Sequence, residues 1–223
     1  MKPRIVSLSA MFSRQPSVTT SGRGATIIQR DLGTEDASVH DGSVLDATRE
    51  VCDFWFALTS EQQFARDADL DRQIGERFGA LRDTVKASGA EGWRDRPDTL
   101  LAAILLLDQF SRNIRRDTAE AFAADDLAVS LTMEAIEKGW EPRYPPEARV
   151  FVYMPLMHAE DPALQALSVE TFEALGLANN IDFARAHRDV ITRFGRFPSR
   201  NAALGRVSTD EEKDYLSRPG AGW

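Results

Sequence analysis

The chain has 223 residues, of which 43% are apolar and 28% charged, and its 27 basic and 35 acidic residues give a formal net charge of −8. This apolar fraction excludes a disordered protein, and the longest apolar run, Leu100 to Leu107, is far shorter than the roughly 20 residues of a membrane-spanning helix. A single cysteine excludes an intramolecular disulfide, so we expect a soluble protein of a reducing compartment, the cytoplasm. The acidic balance argues against nucleic acid as a partner.

The first 30 residues differ from the rest in charge. They contain five basic residues, no acidic residue and many Ser and Thr. Without them, 22 basic and 35 acidic residues remain, a charge of about −13. We expect residues 1–43 to be a disordered extension, although an Arg- and Ser-rich start is also typical of a transit peptide. Residues 44–223 are expected to form a single all-helical domain.

The first half of this domain has apolar residues at helical spacing. The pattern predicts one helix from Val44 to Leu58 and a second from Leu70 to Val85, with Asp69 as a plausible cap. Residues 100–110 are apolar almost all round, which is typical of a helix buried on most sides. We therefore expect this third helix at the centre of the domain.

The second half continues the pattern. Thr118 is a candidate cap for a long helix, and Pro155 lies inside the next one, which it must bend or end. Asp161 and Pro162 open another helix that Gly176 ends. A further helix runs from about Ile181 to Phe194, and Ser208 with Glu211 forms a capping box for a short final helix.

No segment has the alternating pattern of a β-strand. The sequence therefore predicts an all-α fold with seven or eight helices. Short polar links between the helices favour antiparallel neighbours, as in bundles and helix-pair arrays.

The first candidate site lies at the end of the most apolar helix. Asp108 and Gln109 follow eight apolar residues, so at least one of them is expected to be buried and paired, with Arg112 as the nearest donor. Asn113 follows directly. The alternative is that the cations here only satisfy the free carbonyls of a helix C-terminus.

The second candidate site follows Pro155. His158 and Glu160 do not share a helix face, but they could converge at a helix end. The alternative is that His158 is a satisfied core residue. A metal site would need a third ligand from His187 or Asp108, and the chain has no HExxH motif or cysteine pair, so no metal and no cofactor are predicted.

The third candidate site is the segment from Arg185 to Arg206, which contains six Arg and His187 against only Asp189. Such a charge reversal creates a local positive field, and Arg193, Arg196 and Arg200 could present planar donors to a phosphate or carboxylate. The alternative is that these arginines pair with the surplus acidic residues elsewhere in the fold.

Four motifs together resemble one known family. They are Phe54-Trp55-Phe56, the run Leu106–Ile114 (LLDQFSRNI), the run Tyr153–Glu160 (YMPLMHAE) and the run Arg193–Asn201 (RFGRFPSRN). They are similar to the bacterial family catalogued as domain of unknown function number 924. The resemblance covers residue 44 to the C-terminus and implies a tetratricopeptide-like, all-helical fold.

The resemblance also bears on the candidate sites. It implies that residues at the motif positions meet in one polar cluster: Asp108, Arg112, Asn113, His158, Glu160, His187, Arg196 and Asn201. The chain departs from the family at Ser111, where proline is usual, and at Arg200, where histidine is frequent.

Three functions are compatible with these residues. The leading hypothesis is a binding module for an anionic small molecule or an acidic peptide, held by Arg112, Asn113, His187, Arg193, Arg196 and Asn201. The second is a hydrolase or transferase acting on a phosphorylated or carboxylated substrate, with His158 as general acid or base oriented by Glu160 or Asp108. The third is a buried polar network that only locks the helices together.

Overall fold

The computed structural model describes the backbone of residues 34–222 and the side chains of residues 42–222. These residues are predominantly helical and contain no β-strand, which confirms the predicted all-α class. Within them, no helix is both long and apolar enough to cross a membrane. The tetratricopeptide-like arrangement of the helices stays a prediction, and residues 1–33 of the predicted extension lie outside the described residues.

The chain divides into two compact units, of which the first ends at Arg66. It contains helix α1 (Thr34–Ala57) and the short helix α2 (Ser60–Phe64). Helix α1 begins at Thr34 rather than at Val44, where the apolar pattern starts, because a helix can extend beyond its apolar stripe. The prediction of one domain over residues 44–223 is not tested by this division and stays a prediction.

The second unit begins at Asp67 and carries all the candidate site residues. Its helices, in chain order, are α3 (Ala68–Ala87), α4 (Pro97–Ile104), α5 (Ser111–Ile114), α6 (Asp125–Glu137), α7 (Pro146–His158), α8 (Pro162–Leu175), α9 (Ala178–Phe194) and α10 (Asp210–Leu216). Short 3₁₀ turns lie at Ala119–Ala121, Glu141–Arg143 and Pro198–Arg200. Helices α7, α8 and α9 pack on one another in sequence.

The centre of this unit is the run that joins α4 to α5. Every residue from Leu100 to Phe110 is buried, which confirms the expectation from its all-round apolar sequence. The link between the two helices, Leu105–Phe110, is a π-helical turn that packs against α3, α6 and α7. The sequence prediction did not include this wider turn.

Three predicted caps are wrong. Helix α3 is capped by Asp67 rather than Asp69, since the Asp67 side chain accepts hydrogen bonds from the main-chain N–H groups of Asp69 and Leu70. The Thr118 hydroxyl donates a hydrogen bond to the Arg115 carbonyl and does not cap a helix. A 3₁₀ turn lies between Thr118 and α6.

The final capping box is formed by Thr209 and Glu212 rather than one residue earlier. A capping box that begins at Ser208 and one that begins at Thr209 both fit the sequence pattern. The tertiary contacts of Glu212 favour the second.

Helix α7 tolerates the proline inside it. The helix continues through Pro155 and ends three residues later at His158. Since Pro155 has no N–H, the carbonyl four residues earlier lacks its usual helical donor. The end of α7 nevertheless remains a defined helical terminus, which fixes where His158 stands.

Candidate active site

Asp108 is the most deeply buried acid of the candidate site. It lies on the π-helical turn and is 0% exposed. A π-helical turn inserts an extra residue into a helix and often occurs at functional sites. Here it carries Asp108 and Gln109 into the interior, where the Gln109 side-chain amide donates to Asp108 Oδ2.

Asp108 forms a close pair with His158 at the end of α7. Asp108 Oδ1 lies 2.7 Å from His158 Nδ1. Burial alone would disfavour the Asp108 carboxylate, but Arg112 and His158 outweigh burial and hold the pKa of Asp108 well below its usual range. The carboxylate is therefore ionised at neutral pH and accepts a hydrogen bond from the Nδ1–H group of His158.

His158 is neutral at pH 7, and one of its ring nitrogens has no partner among the described residues. Burial and the nearby Arg112 charge lower the pKa of His158 below its ordinary 6.5, despite the opposing effect of Asp108. Because Nδ1 carries the hydrogen that binds Asp108, Nε2 of the neutral ring bears a lone pair. No described residue forms a hydrogen bond with Nε2, and the side chain is 15% exposed. This nitrogen can therefore accept a proton from a molecule that reaches it.

Two arginines and a second aspartate complete the cluster around this pair. Arg112 lies 2.8 Å from Asp108 Oδ1 and donates to Asp125 Oδ2 at 3.0 Å. Arg200 donates to the same Asp125 oxygen at 3.1 Å and to the His158 carbonyl at 2.8 Å. The pairing of Asp108 with Arg112 confirms the prediction from their spacing. Two carboxylates and two guanidinium groups give the cluster a formal charge of zero.

Arg200 is held by aromatic as well as polar contacts. Its guanidinium lies 4.6 Å from the ring centroids of both Phe122 and Phe197. Burial lowers the pKa of Arg200 to about 10, so it remains charged at neutral pH. It therefore fixes the main chain at His158 while it pairs with Asp125.

A glutamine side chain binds the main-chain carbonyls at the end of α7. The Gln165 side-chain amide donates to the carbonyls of Met157 at 2.7 Å and Ala159 at 2.8 Å. The last carbonyls of a helix have no partner within the helix, so Gln165 and Arg200 together satisfy those around His158. The main chain on both sides of the imidazole is thus held by buried side chains.

His187 lies beside the cluster. Its ring centroid is 6.2 Å from that of His158, and its Nδ1 lies 2.8 Å from the Phe183 carbonyl oxygen. Burial lowers the pKa of His187 to about 3, which keeps this imidazole neutral at neutral pH. Within the described part of the chain, no group of three or more His, Cys, Asp or Glu side chains is arranged to hold a metal ion.

The remaining predicted residues lie in separate groups. Glu160 forms no hydrogen bond with His158; it accepts hydrogen bonds from Arg206 and from the Phe197 main-chain N–H. Arg196 and Asn201 both bind the buried Glu212, Arg196 through two hydrogen bonds of 2.7 Å and 2.9 Å. These contacts hold the loop after α9 against its neighbours.

Two further predicted residues also have acidic partners of their own. Arg193 pairs with Glu211 at the surface, where both side chains are largely exposed. Asn113 donates to Asp71 Oδ1 at 2.7 Å, and Arg116 pairs with the same carboxylate. Of the eight residues that the family resemblance brings together, the structure unites only Asp108, Arg112, His158 and His187.

Sequence reasoning missed Asp125 and Gln165 and gave Arg200 only a general role. Asp125 lies in the first turn of α6, where an acid usually serves the helix N-terminus. Gln165 is a single glutamine in an ordinary amphipathic helix. Neither residue stands in a motif, and their distance in sequence from His158 conceals the contact, so only the packing of the helices could identify them.

Comparisons with known proteins agree with this fold. The profile of a family described as "Bacterial protein of unknown function (DUF924)" matches residues 51–220. The chain belongs to this family. A solved structure, that of the protein of unknown function ATU0120 from Agrobacterium tumefaciens, is 35% identical, with a TM-score of 0.71 over 82% of this chain and 99% of that one. No curated protein matches the chain.

Proposed function

We propose that this member of the family is an enzyme in which His158 takes up and returns a proton at Nε2. The observation that carries this proposal is the Asp108–His158 pair, which presents a neutral imidazole whose Nε2 has no partner among the described residues. General bases of this kind act best when they are deprotonated and held in one orientation. Asp108, Gln165 and Arg200 supply that orientation.

The reaction class that suits these groups is hydrolysis or group transfer on a small phosphorylated or carboxylated substrate. His158 Nε2 would remove the proton of an attacking water or hydroxyl group, and Asp108 would stabilise the imidazolium that forms. The guanidinium groups of Arg112 and Arg200 would balance negative charge that develops on the substrate. The chain has a single cysteine, which excludes an intramolecular disulfide and supports a cytoplasmic location as part of this proposal.

The first test is a hydrolysis and transfer assay on a panel of phosphate and carboxylate esters. We expect wild-type activity to fall as His158 is protonated below pH 6.5, and His158→Gln to lose about 10²- to 10⁴-fold. Arg193→Gln is the control, because this arginine pairs with Glu211 away from the cluster. Full activity of His158→Gln would contradict the proposal.

A second test needs no substrate. Diethyl pyrocarbonate acylates neutral, accessible imidazole nitrogens, and mass spectrometry locates the modified residue. At pH 6.5, we expect His158 to react faster than the more deeply buried His187, which is 5% exposed. Reaction confined to His187 would show that His158 Nε2 is not accessible to small molecules.

Binding without chemistry is the second candidate function. The observation that favours it is the meeting of Arg112 and Arg200 at Asp125, which gathers guanidinium groups suited to an anionic small molecule or an acidic peptide. Stabilisation by inorganic phosphate that survives in His158→Gln but disappears in Arg112→Gln would favour this candidate. Thermal-shift measurements distinguish the two outcomes.

A further inference from the structure

Asp125 carries an acceptor oxygen that no described residue uses. Its Oδ2 accepts hydrogen bonds from both Arg112 and Arg200, whereas its Oδ1 is buried and receives none. A buried polar atom without a partner is costly, and such atoms are rare in folded proteins. Donors elsewhere in the cluster do not turn toward this oxygen, so a molecule entering the cluster has an acceptor ready for it.

A second free acceptor belongs to the same cluster. His158 Nε2 also has no partner among the described residues, and Arg200 bridges the two groups by donating to Asp125 and to the His158 carbonyl. Arg112 makes the other bridge, from Asp125 to Asp108, the partner of His158. Asp125 Oδ1 and His158 Nε2 are therefore two unused acceptors in one network. A ligand that satisfies both must carry two hydrogen-bond donors.

The charges around Asp125 restrict what kind of donor fits. An ammonium group at Oδ1 would approach two guanidinium groups that already balance this carboxylate. A carboxylate or phosphate oxygen there would meet the Asp125 charge and has no proton to donate. A neutral hydroxyl group avoids both conflicts, because it donates one hydrogen bond and brings no charge.

We propose that Asp125 Oδ1 is a substrate-binding acceptor, and that the substrate is a hydroxylated molecule with one hydroxyl on Asp125 and another on His158 Nε2. This inference rests on the proposed function and specifies its substrate class. The hydroxyl on His158 donates a hydrogen bond to Nε2, the atom that takes up a proton in the proposed function. The hydroxyl on Asp125 binds and orients the substrate without reacting.

The test compares two esters with the same phosphate group, glycerol 3-phosphate and n-propyl phosphate, of which only the first carries hydroxyl groups. Binding to the wild-type chain is measured by titration calorimetry. We expect glycerol 3-phosphate to bind at least about tenfold more tightly, since a site built for hydroxyl groups discriminates strongly against an analogue without them. Equal affinities, or binding of neither ester at millimolar concentration, would overturn the inference.

A variant then assigns the discrimination to Asp125. In Asp125→Asn, the amide oxygen can still face the two arginines, which places an NH₂ donor where Oδ1 was. We expect the preference for glycerol 3-phosphate to fall to about twofold or less. Asp126→Asn is the matched control, an exposed acid on the same helix turn, and it should keep the wild-type preference.

The two proposals fail in distinguishable ways. The wild-type comparison of the esters requires no variant, so it stands even if Asp125→Asn does not fold. Equal affinities of the two esters for the wild-type chain, together with an activity whose pH profile depends on His158, would overturn the role of Asp125 and leave the proposed function intact. An unchanged preference in a folded Asp125→Asn, verified by circular dichroism, also overturns it.

Discussion

Two regions of the molecule are rich in polar residues: the cluster around Asp108 and His158, and the arginine-rich segment from Arg185 to Arg206. They differ in whether all their polar groups have partners. In the segment, each of the six arginines pairs with a carboxylate, and the pairs are Arg185–Glu173, Arg188–Asp189, Arg193–Glu211, Arg196–Glu212, Arg200–Asp125 and Arg206–Glu160. In the cluster, charge is also balanced, but His158 Nε2 and Asp125 Oδ1 have no hydrogen-bond partner among the described residues. The comparison teaches that a free, oriented acceptor in a buried setting marks a site better than an excess of one charge along the chain.

The largest expected effect comes from breaking the cluster. In Asp108→Asn, the Arg112 guanidinium loses the more deeply buried of its two carboxylate partners and keeps only Asp125. We expect the free energy of unfolding to fall by about 3–5 kcal/mol, as for other broken buried ion pairs. Chemical denaturation at pH 7 measures this change. A loss below about 1 kcal/mol would place the cluster in the same energetic class as the surface pairs of the arginine-rich segment.

The pH dependence of stability tests the cluster through His187, which lies beside it. The pKa of His187 is about 3 in the folded chain and near 6.5 when unfolded. Below pH 6.5 the unfolded chain therefore binds a proton that the folded chain refuses, so stability falls as the pH falls toward 3. We expect His187 to contribute roughly 1 kcal/mol per pH unit between pH 6.5 and 4.5.

Denaturation curves across this range for the wild type and His187→Gln check that slope. The variant should show a shallower decrease, because only His158, whose pKa is also lowered, then remains among the described histidines. An unchanged slope would mean that His187 is protonated as readily in the folded chain as in the unfolded one.

A smaller effect is expected at Glu212, the buried acid that Arg196 and Asn201 share. The hydrogen bond to Arg196 lowers the pKa of Glu212 from 4.5 to about 2. Its stabilising contribution is complete above pH 4.5 and is lost as the pH falls toward 2. Glu212→Gln should lower the free energy of unfolding by roughly 1.5–3 kcal/mol at pH 7, with the difference narrowing below pH 4.5. A difference that stays constant with pH would exclude this titration.

The smallest effect is expected at the surface of the arginine-rich segment. Arg193 and Glu211 form a largely exposed pair. Such pairs contribute about 0–1 kcal/mol, because solvent screens them and ordering two long side chains costs entropy. Arg193→Gln should therefore leave the unfolding midpoint nearly unchanged. A large loss would indicate that the segment stabilises the fold more than its exposure suggests.

The helical fold was largely predictable because helices follow local patterns. The all-round apolar run at Leu100–Phe110 predicted a buried helix, and Asp161-Pro162 with Gly176 predicted the ends of α8. Where two registers fitted equally, prediction was wrong: Ser208 and Thr209 both begin a capping pattern, and the buried Glu212 decides for Thr209. The π-helical turn has no distinct sequence signal, and the prediction did not include it.

For the candidate site, the sequence by itself determined the residue types and one local pair. Asp108 had to be paired because it follows a buried apolar run, and Arg112, four residues later, was within reach. Only the tertiary structure decided that His158 joins Asp108 while Glu160 turns to Arg206, and that Asp125 and Arg200 complete the cluster. The physical reason is range: helical periodicity fixes contacts three or four residues apart, whereas partners 50 or more residues apart, such as Asp108 and His158, meet only through helix packing.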